Sequence, residues 1–119
     1  MDLTSINAKQ GDIWLFDPDP VRGTELGKKI LPALIISCNE LNEGWSNLII
    51  IVPLTSKDKK ITSHVRIEPP EGGITVPSFI VCEQIRSISK ERLVKKLGTI
   101  QDPALLREVH LWIMNLIWL

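Results

Sequence analysis

One loop of the chain gathers acidic and basic side chains in a short stretch. Residues 22–29 contain one carboxylate, Glu25, among three cations, Arg22, Lys28 and Lys29. Glycines at positions 23 and 27 can take positive φ and let the backbone approach a ligand closely. A carboxylate beside three cations can bind or act on a phosphodiester. The alternative is a solvated surface loop whose charges neutralise one another.

Two apolar strands are expected to position this loop. Residues 12–17 have the aromatic and β-branched content of a strand, and the prolines at 18 and 20 end it because they cannot donate ladder hydrogen bonds. Residues 30–38 form a continuous apolar run, which predicts a strand covered on both faces. The loop should therefore cross between two strands rather than make a tight turn.

Composition limits the class of protein. A chain of 119 residues with 44% hydrophobic content predicts one domain over residues 1–119, with a core that needs no disulfide or metal. Lys plus Arg and Asp plus Glu number 14 each, so no overall basic field attracts nucleic acid. Binding to nucleic acid would have to come from a local patch.

The cysteines and the hydropathy pattern predict a cytoplasmic protein. Cys38 and Cys82 both lie in apolar runs, so we expect reduced thiols buried in the core. The N-terminal residues lack the pattern of a secretory signal, and no apolar run has the length of a membrane span. No cluster of Cys and His has metal-ligand spacing, so neither a metal nor another cofactor is expected.

Further strands follow at short intervals. Residues 47–55 are the most strand-like segment and should be central, residues 64–68 alternate as a half-exposed strand does, and residues 78–89 predict another strand. Residues 93–100 can add one more, while residues 39–44 are rich in turn formers. Five or six short strands indicate an α+β, mainly β, fold: a small SH3-like antiparallel β-barrel with a C-terminal α-helix.

The helix is the clearest local prediction. Asp102 is suited to the N-cap and Pro103 to the first helical position, and the helix should run to the C-terminus. Its apolar stripe extends nearly all the way round, which predicts packing on the barrel and also on a partner chain.

Six short motifs, in order along residues 10 to about 117, resemble the MazF/PemK family of toxins. They are GDIW at 11–14, GTE at 23–25, PALIIS at 32–37, PLTS at 53–56, HV at 64–65 and EQIRSI at 83–88. The resemblance implies a homodimeric, SH3-like barrel endoribonuclease that cleaves single-stranded RNA without a metal ion. It also implies a small antitoxin partner whose disordered tail fills the RNA groove.

The resemblance assigns roles to individual residues. Glu25 is similar to the family's loop carboxylate, a general base or positioning group, and Thr55 to a threonine whose hydroxyl donates to a phosphate oxygen. Glu83 and Gln84 resemble residues that read bases. The remaining substrate-binding candidates surround these positions: Arg22, Gly23, Thr24, Lys28 and Ser56. Without the resemblance, Thr55 is an ordinary strand end and Glu83 a polar strand edge.

One departure from the family pattern concerns the phosphate. The family usually places an arginine directly before the proline that opens the second strand, whereas here Leu31 precedes Pro32. Lys29 is the best placed substitute, with Lys28 and Arg22 as alternatives, although a lysine lacks the planar fork of arginine. A protein that has lost cleavage and only binds RNA or an antitoxin is the other reading.

Histidines and tryptophans carry weaker signals. His110 is expected at the surface or an interface, and His64 beside the charged residues 56–60 is more simply structural than substrate-binding. Trp14 and Trp45 could stack on bases, but a tryptophan in a strand more often fills a core. A peptide-binding SH3-like adaptor is a third reading, which 5% aromatic content and the absence of tyrosine disfavour.

Overall fold

The computed structural model of the chain describes residues 6–18 and 29–118. It contains seven strands and two α-helices in these ranges: β1 Asp12–Phe16, β2 Leu31–Ile35, α1 Asn39–Glu43, β3 Leu48–Thr55, β4 His64–Ile67, β5 Ser78–Val81, β6 Arg86–Ser89, β7 Leu93–Thr99 and α2 Pro103–Ile117. Three short 3₁₀ turns lie at Glu71–Gly73, Cys82–Gln84 and Lys90–Arg92.

All strand pairs are antiparallel, and β3 is the central strand. The order in the sheet is β4-β5-β3-β2-β1-β7, and β6 also pairs with β3. One edge of β3 pairs with β2, while the other pairs first with β6 and then, at its end, with β5. The predicted α+β class is confirmed. The hydrogen-bonded sheet, however, is open, with β4 and β7 at its two ends.

Both faces of the sheet are covered by apolar side chains, as the continuous apolar runs of β2 and β3 predict. Val52 and Leu54 of β3 belong to a cluster that includes Val109 and Ile113 of α2. Ile49 and Ile51, which point to the opposite face because side chains alternate along a strand, belong to a second cluster with Phe16 and Leu93. Thr55 continues this second face.

Helix α2 begins as the sequence predicts. The side chain of Asp102 accepts the N–H of Ala104 at 3.0 Å and Pro103 is the first helical residue, so the N-terminus is capped. Val109 and Ile113 are buried against the sheet. Apolar side chains on the rest of the helix remain exposed: Leu111, Met114, Leu116, Ile117 and also Trp118 just beyond it.

Two segments differ from the sequence predictions because tertiary contacts override local preference. Residues 39–44, predicted as a turn, contain α1, in which Asn42 is buried and donates to the carbonyl of Ser37 at 2.9 Å. Ile80 pairs with Leu54 of β3, and Arg86 pairs with Ile51 of the same strand. Six steps along the chain from Ile80 to Arg86 therefore lie opposite only three steps along β3. The predicted strand 78–89 is therefore divided by the turn Cys82–Gln84.

The two cysteines have different environments. Cys82 is fully buried, and burial raises the pKa of its thiol to about 12, assisted by the negative charges of Glu83 and Glu108. Cys38 was predicted to be buried, but that prediction is wrong: β2 ends at Ile35, and Cys38 is exposed directly before α1. Both cysteines are free.

Candidate active site

Thr55 is the last residue of β3 and is partly exposed. Its hydroxyl oxygen accepts the backbone N–H of Lys57 at 3.2 Å, which fixes the side chain in the turn that follows the strand. A hydroxyl has one donor and two acceptor sites, so this bond leaves the O–H of Thr55 free to donate. Ser56 and Lys57 follow directly and are exposed. The end of β3 thus presents a positioned hydroxyl donor to solvent.

Leu31 is the first residue of β2, at the end of the sheet where Thr55 ends β3. The pairing of Ala33 with Pro53, continued two residues along both antiparallel strands, brings Leu31 level with Thr55. Leu31 is partly buried and packs against the second core cluster, next to Phe16 with which it pairs. An apolar side chain therefore occupies the point where the resemblance places an arginine.

Most of the charged loop lies outside the described residues. This holds for five of the predicted site residues: Arg22, Gly23, Thr24, Glu25 and Lys28. Lys29 is described and exposed, two residues before β2. Since β2 begins where β3 ends, Lys29 and Thr55 lie at the same end of the sheet.

A cation that the sequence analysis did not select lies in the same row as Thr55. Thr55 pairs with Phe79 of β5, and Phe79 pairs with Arg66 of β4, so the three side chains share one face. The guanidinium carbon of Arg66 is 5.8 Å from the centre of the Phe79 ring, and an Nη atom is 2.6 Å from a carboxylate oxygen of Glu68. The alternating pattern of residues 64–68 was the signal that could have identified Arg66.

Glu83 lies at the centre of a polar cluster in the turn Cys82–Gln84. The hydroxyl of Ser63 donates to its Oε1 at 2.6 Å, and Nε2 of His64 is 2.7 Å from its Oε2. The pairing of His64 with Val81 explains the contact, since Glu83 follows Val81 by only two residues. The carboxylate is therefore fixed through both oxygens. Sequence reasoning selected Glu83 but missed Ser63, whose partner is 20 residues away.

These contacts set the ionisation of Glu83. Partial burial by itself would raise the pKa of the carboxyl, but the hydrogen bonds from Ser63, His64 and the Glu83 backbone outweigh it, and the pKa lies below its ordinary value. His64 has only 4% of its side chain exposed, and its Nδ1 is buried without a hydrogen-bond partner. The network thus assigns the proton to Nε2, which donates to Glu83.

The other predicted positions are accessible. Gln84 is exposed directly after Glu83, and His110 is exposed on α2, as the sequence analysis expected. Trp14 is partly buried and packs against the second core cluster, whereas Trp45 is almost fully exposed. Among residues 6–18 and 29–118, no group of three or more His, Cys, Asp or Glu side chains is arranged to hold a metal ion. Over the same ranges, no helix has the length and apolar character that crossing a membrane requires.

A protein-family model matches nearly the whole chain. The family model described as the PemK-like, MazF-like toxin of type II toxin–antitoxin systems matches residues 9–117. A curated relative, the endoribonuclease MazF of Staphylococcus saprophyticus, is 36% identical over 96 residues, which are 79% of this chain and 78% of that protein.

Solved structures share the fold. A crystal structure of MazF from Deinococcus radiodurans has a TM-score of 0.77 at 21% identity and covers 97% of this chain and 100% of its own. An endoribonuclease from a mycobacterial species, solved in complex with its cognate antitoxin, has a TM-score of 0.72 at 21% identity, with 92% and 93% covered. A MazE–MazF structure from Deinococcus radiodurans has a TM-score of 0.74 at 20% identity, with 95% and 97% covered.

Proposed function

This chain belongs to the family of PemK-like, MazF-like toxins of type II toxin–antitoxin systems, and from that membership we propose that it is an endoribonuclease that cleaves single-stranded RNA. The relative from Staphylococcus saprophyticus carries the name endoribonuclease. The observation within the chain that carries the proposal is the hydroxyl of Thr55, held at the end of β3 with its O–H free to donate.

The proposed reaction needs no metal, because RNA supplies its own nucleophile. The 2′-oxygen bonds to phosphorus, the bond to the 5′-oxygen of the next nucleotide breaks, and the product ends in a 2′,3′-cyclic phosphate. Glu25 is proposed to take the proton of the 2′-hydroxyl, and the leaving 5′-oxygen takes a proton from solvent water to become a 5′-hydroxyl. Thr55 donates to a non-bridging oxygen and Lys29 supplies positive charge while the phosphorane forms.

Base recognition is proposed for Glu83 and Gln84. Ser63 and His64 each use one lone pair of a Glu83 oxygen, and the side chain remains about one third exposed. Each carboxylate oxygen keeps a further acceptor site, and its direction is fixed by the two donors. Unpaired RNA offers exocyclic amino groups to such acceptors. Gln84, exposed beside it, can both donate to and accept from a base edge.

The proposed partners follow from the relatives. Related MazF proteins have been solved with an antitoxin, so we propose a small antitoxin partner for this chain. We also propose a homodimer, since α2 leaves Leu111, Met114 and Ile117 exposed on the side away from the sheet. A cytoplasmic location remains a proposal from the sequence. A light-scattering measurement of molar mass tests the dimer.

The first experiment tests cleavage itself. The purified chain is incubated with a long single-stranded RNA in excess EDTA, and the new ends are mapped and analysed for 2′,3′-cyclic phosphate. Discrete cuts with that end group are expected. Thr55→Val, which removes only the hydroxyl, should lower the rate by about 10²-fold or more, as loss of one transition-state donor does. The matched control is Thr75→Val at an exposed threonine that lies outside the strands, and it should cut at the wild-type rate.

A second set of variants identifies the cation. Lys29→Ala should lower the cleavage rate more than Lys57→Ala, because Lys29 lies next to the start of β2 and the charged loop. Arg66→Ala tests the arginine in the row of Thr55. Wild-type rates in all three variants would contradict the assignment of a phosphate-binding cation to this end of the sheet.

Leu31 favours a second candidate function. An apolar side chain level with Thr55 suits a member of the family that binds RNA or an antitoxin without cleaving. In that case a folded sample would bind an RNA whose 2′-hydroxyls are methylated and would leave the long RNA of the first experiment intact. Leu31→Arg would then be expected to produce cleavage, since it restores the guanidinium fork at the phosphate.

A further inference from the structure

A cavity of about 670 Å³ opens at the other end of β3 from Thr55. Its wall contains Trp45 and Asn47, which precede β3, Lys90 from the turn after β6, and Ala8 from the N-terminal segment, and it includes one acidic residue, Glu43 of α1. This volume lies in the range of pockets that hold small ligands. The cleavage and base recognition proposed above use none of these residues.

Lys90 brings a buried positive charge to the cavity. The residue is only 7% exposed, and its backbone N–H donates to the carbonyl of Asn47 at 3.0 Å. Its ammonium donates to the carbonyl of Gly44 at 3.2 Å. No carboxylate of the described residues lies within 4.0 Å of the ammonium. A buried cation is ordinarily paired, so the unused N–H groups of Lys90 call for an anion.

Asn47 adds an acceptor without a donor. Its Oδ1 is buried and has no hydrogen-bond partner. The backbone at Asn47 has φ of 63°, the left-handed conformation that asparagine tolerates, and this places the residue at the sharp entry to β3. A buried amide oxygen without a donor costs free energy that a bound N–H group would restore.

Trp45 supplies a free aromatic face at the edge of the cavity. It is 98% exposed, the largest exposed fraction among the large apolar side chains of the described residues. An indole in this position is available for stacking.

We propose that this cavity binds one nucleotide of the RNA strand, with its base stacked on Trp45, an exocyclic amino group donating to Asn47 and its phosphate at Lys90. A nucleotide supplies a matching group for each of three residues: a planar π system for Trp45, an N–H donor for Asn47 and an anion for Lys90. An acidic peptide supplies an anion and an N–H but leaves the indole face unused. The inference rests on the proposed function for the identity of the strand.

The position of the cavity fixes how long the RNA must be. β3 advances seven residues from Leu48 to Thr55, which is about 23 Å at roughly 3.3 Å per residue. A stacked strand rises about 3.4 Å per nucleotide, so about seven nucleotides separate the two ends. The cavity would hold a nucleotide about seven positions from the cut and would add affinity without changing the cut position.

Binding of an RNA that cannot be cleaved tests the cavity independently of catalysis. A fluorescein-labelled 12-nucleotide 2′-O-methyl RNA lacks the nucleophile, and its affinity is measured by fluorescence anisotropy in EDTA. Trp45→Leu keeps an exposed apolar side chain but no ring, and Trp45→Phe keeps a ring. We expect Trp45→Leu to weaken binding by about tenfold, a typical loss for one stacked base, and Trp45→Phe to bind within about threefold of wild type.

Lys90→Met provides a second measurement. Removal of one phosphate contact should reduce the slope of log K against log salt concentration by about 0.7. Melting temperatures verify that each variant is folded. If Lys90→Met does not fold, the affinities of Trp45→Leu and Trp45→Phe test the proposal by themselves. Trp45 is exposed, so its substitution leaves the core intact.

Three results would overturn the proposal. Equal affinity of Trp45→Leu and wild type for the RNA would show that no base stacks on Trp45. If that variant still cleaves long RNA, the endoribonuclease proposal stands although the cavity proposal fails. Displacement of the RNA by a 12-residue polyglutamate, equally in wild type and Trp45→Leu, would identify an acidic peptide. The NMR chemical shift of the Trp45 indole N–H can be followed during titration with AMP or with the RNA. If AMP binds as tightly as the RNA, the ligand of the cavity is a free nucleotide rather than an RNA strand.

Discussion

Glu83 and Lys90 are both charged side chains held against the sheet, but their surroundings satisfy them to different degrees. Glu83 receives hydrogen bonds from Ser63 and His64 at 2.6 and 2.7 Å, one on each carboxylate oxygen. Lys90, which is far more buried, has one neutral carbonyl acceptor at 3.2 Å. The less exposed charge therefore has the weaker set of partners.

The difference separates a charge that is held in place from a charge that lacks a partner. A carboxylate with both oxygens occupied has one orientation and can present its remaining acceptor sites to one kind of base. A buried ammonium with unused donors costs stability until a ligand binds. We therefore expect substitutions at the two residues to change the free energy of unfolding in opposite directions.

Glu83→Ala should have the largest effect on stability. The substitution leaves His64, whose side chain is 4% exposed, with both ring nitrogens unpaired, and such a loss costs about 2 kcal/mol. Urea unfolding at pH 7 measures it. The control is Glu68→Ala, which removes the carboxylate of an ion pair whose two side chains are 61% and 51% exposed and should change stability by less than about 1 kcal/mol. Equal losses of unfolding free energy in Glu83→Ala and Glu68→Ala would contradict a stabilising role for the cluster of Ser63, His64 and Glu83.

Lys90→Met should stabilise the chain in the absence of RNA. Methionine matches the length of the lysine stem, and the change removes a buried charge that no described carboxylate neutralises, so a gain of about 1 kcal/mol is expected. The same urea titration measures the gain. A loss of more than that amount would mean that the contact with the Gly44 carbonyl is a structural requirement, and the contrast with Glu83 would not hold.

Ser63→Ala should have a smaller effect than Glu83→Ala. It removes one hydrogen bond to a charged acceptor, which is partly exposed, and leaves His64 paired, so a loss of about 1 kcal/mol is expected. Thermal unfolding of Ser63→Ala beside that of Ser87→Ala, an exposed serine on β6, measures the difference. If Ser63→Ala matches Ser87→Ala, the carboxylate depends on His64 alone.

The pH dependence of the Glu83 cluster should be the smallest effect. The pKa of Glu83 in the folded chain lies below its ordinary value of 4.5, so the folded state binds the proton less readily than the unfolded state. Its contribution is complete above the ordinary value and is lost as the pH falls through the folded-state pKa. The difference in unfolding free energy between wild type and Glu83→Gln should decrease as the pH falls below 4.5. If the difference in unfolding free energy instead increases as the pH falls, the pKa of Glu83 is not lowered by folding.

The sequence predicted the strands and the main helix well because those signals are local. Alternating and continuous apolar runs identified β1, β2, β3 and β4, and the Asp102 cap with Pro103 identified the start of α2. The turn that divides residues 78–89 was missed because it arises from a change in pairing partner along β3, which no local pattern records. The exposure of Cys38 was not predicted because β2 ends at Ile35, before the apolar run ends.

The sequence predicted only part of the candidate site. Resemblance selected Thr55 and Glu83, and the structure describes the contacts of both. The partners of Glu83 were not predicted, because Ser63 and His64 reach it through the pairing of β4 with β5. Arg66 was overlooked for a similar reason: it enters the row of Thr55 only through Phe79, on a strand between them.

The sequence by itself determined the family, the mainly antiparallel α+β class and the residue types available for chemistry, because these depend on composition, short periodic patterns and ordered motifs. Only the tertiary structure decided which of these residues meet. The pairing of Ala33 with Pro53, the contact of His64 with Glu83 and the hydrogen bond of Lys90 to Asn47 join segments that are far apart in the chain. Such contacts follow from strand register, and register is set by the packing of the whole sheet rather than by any one strand.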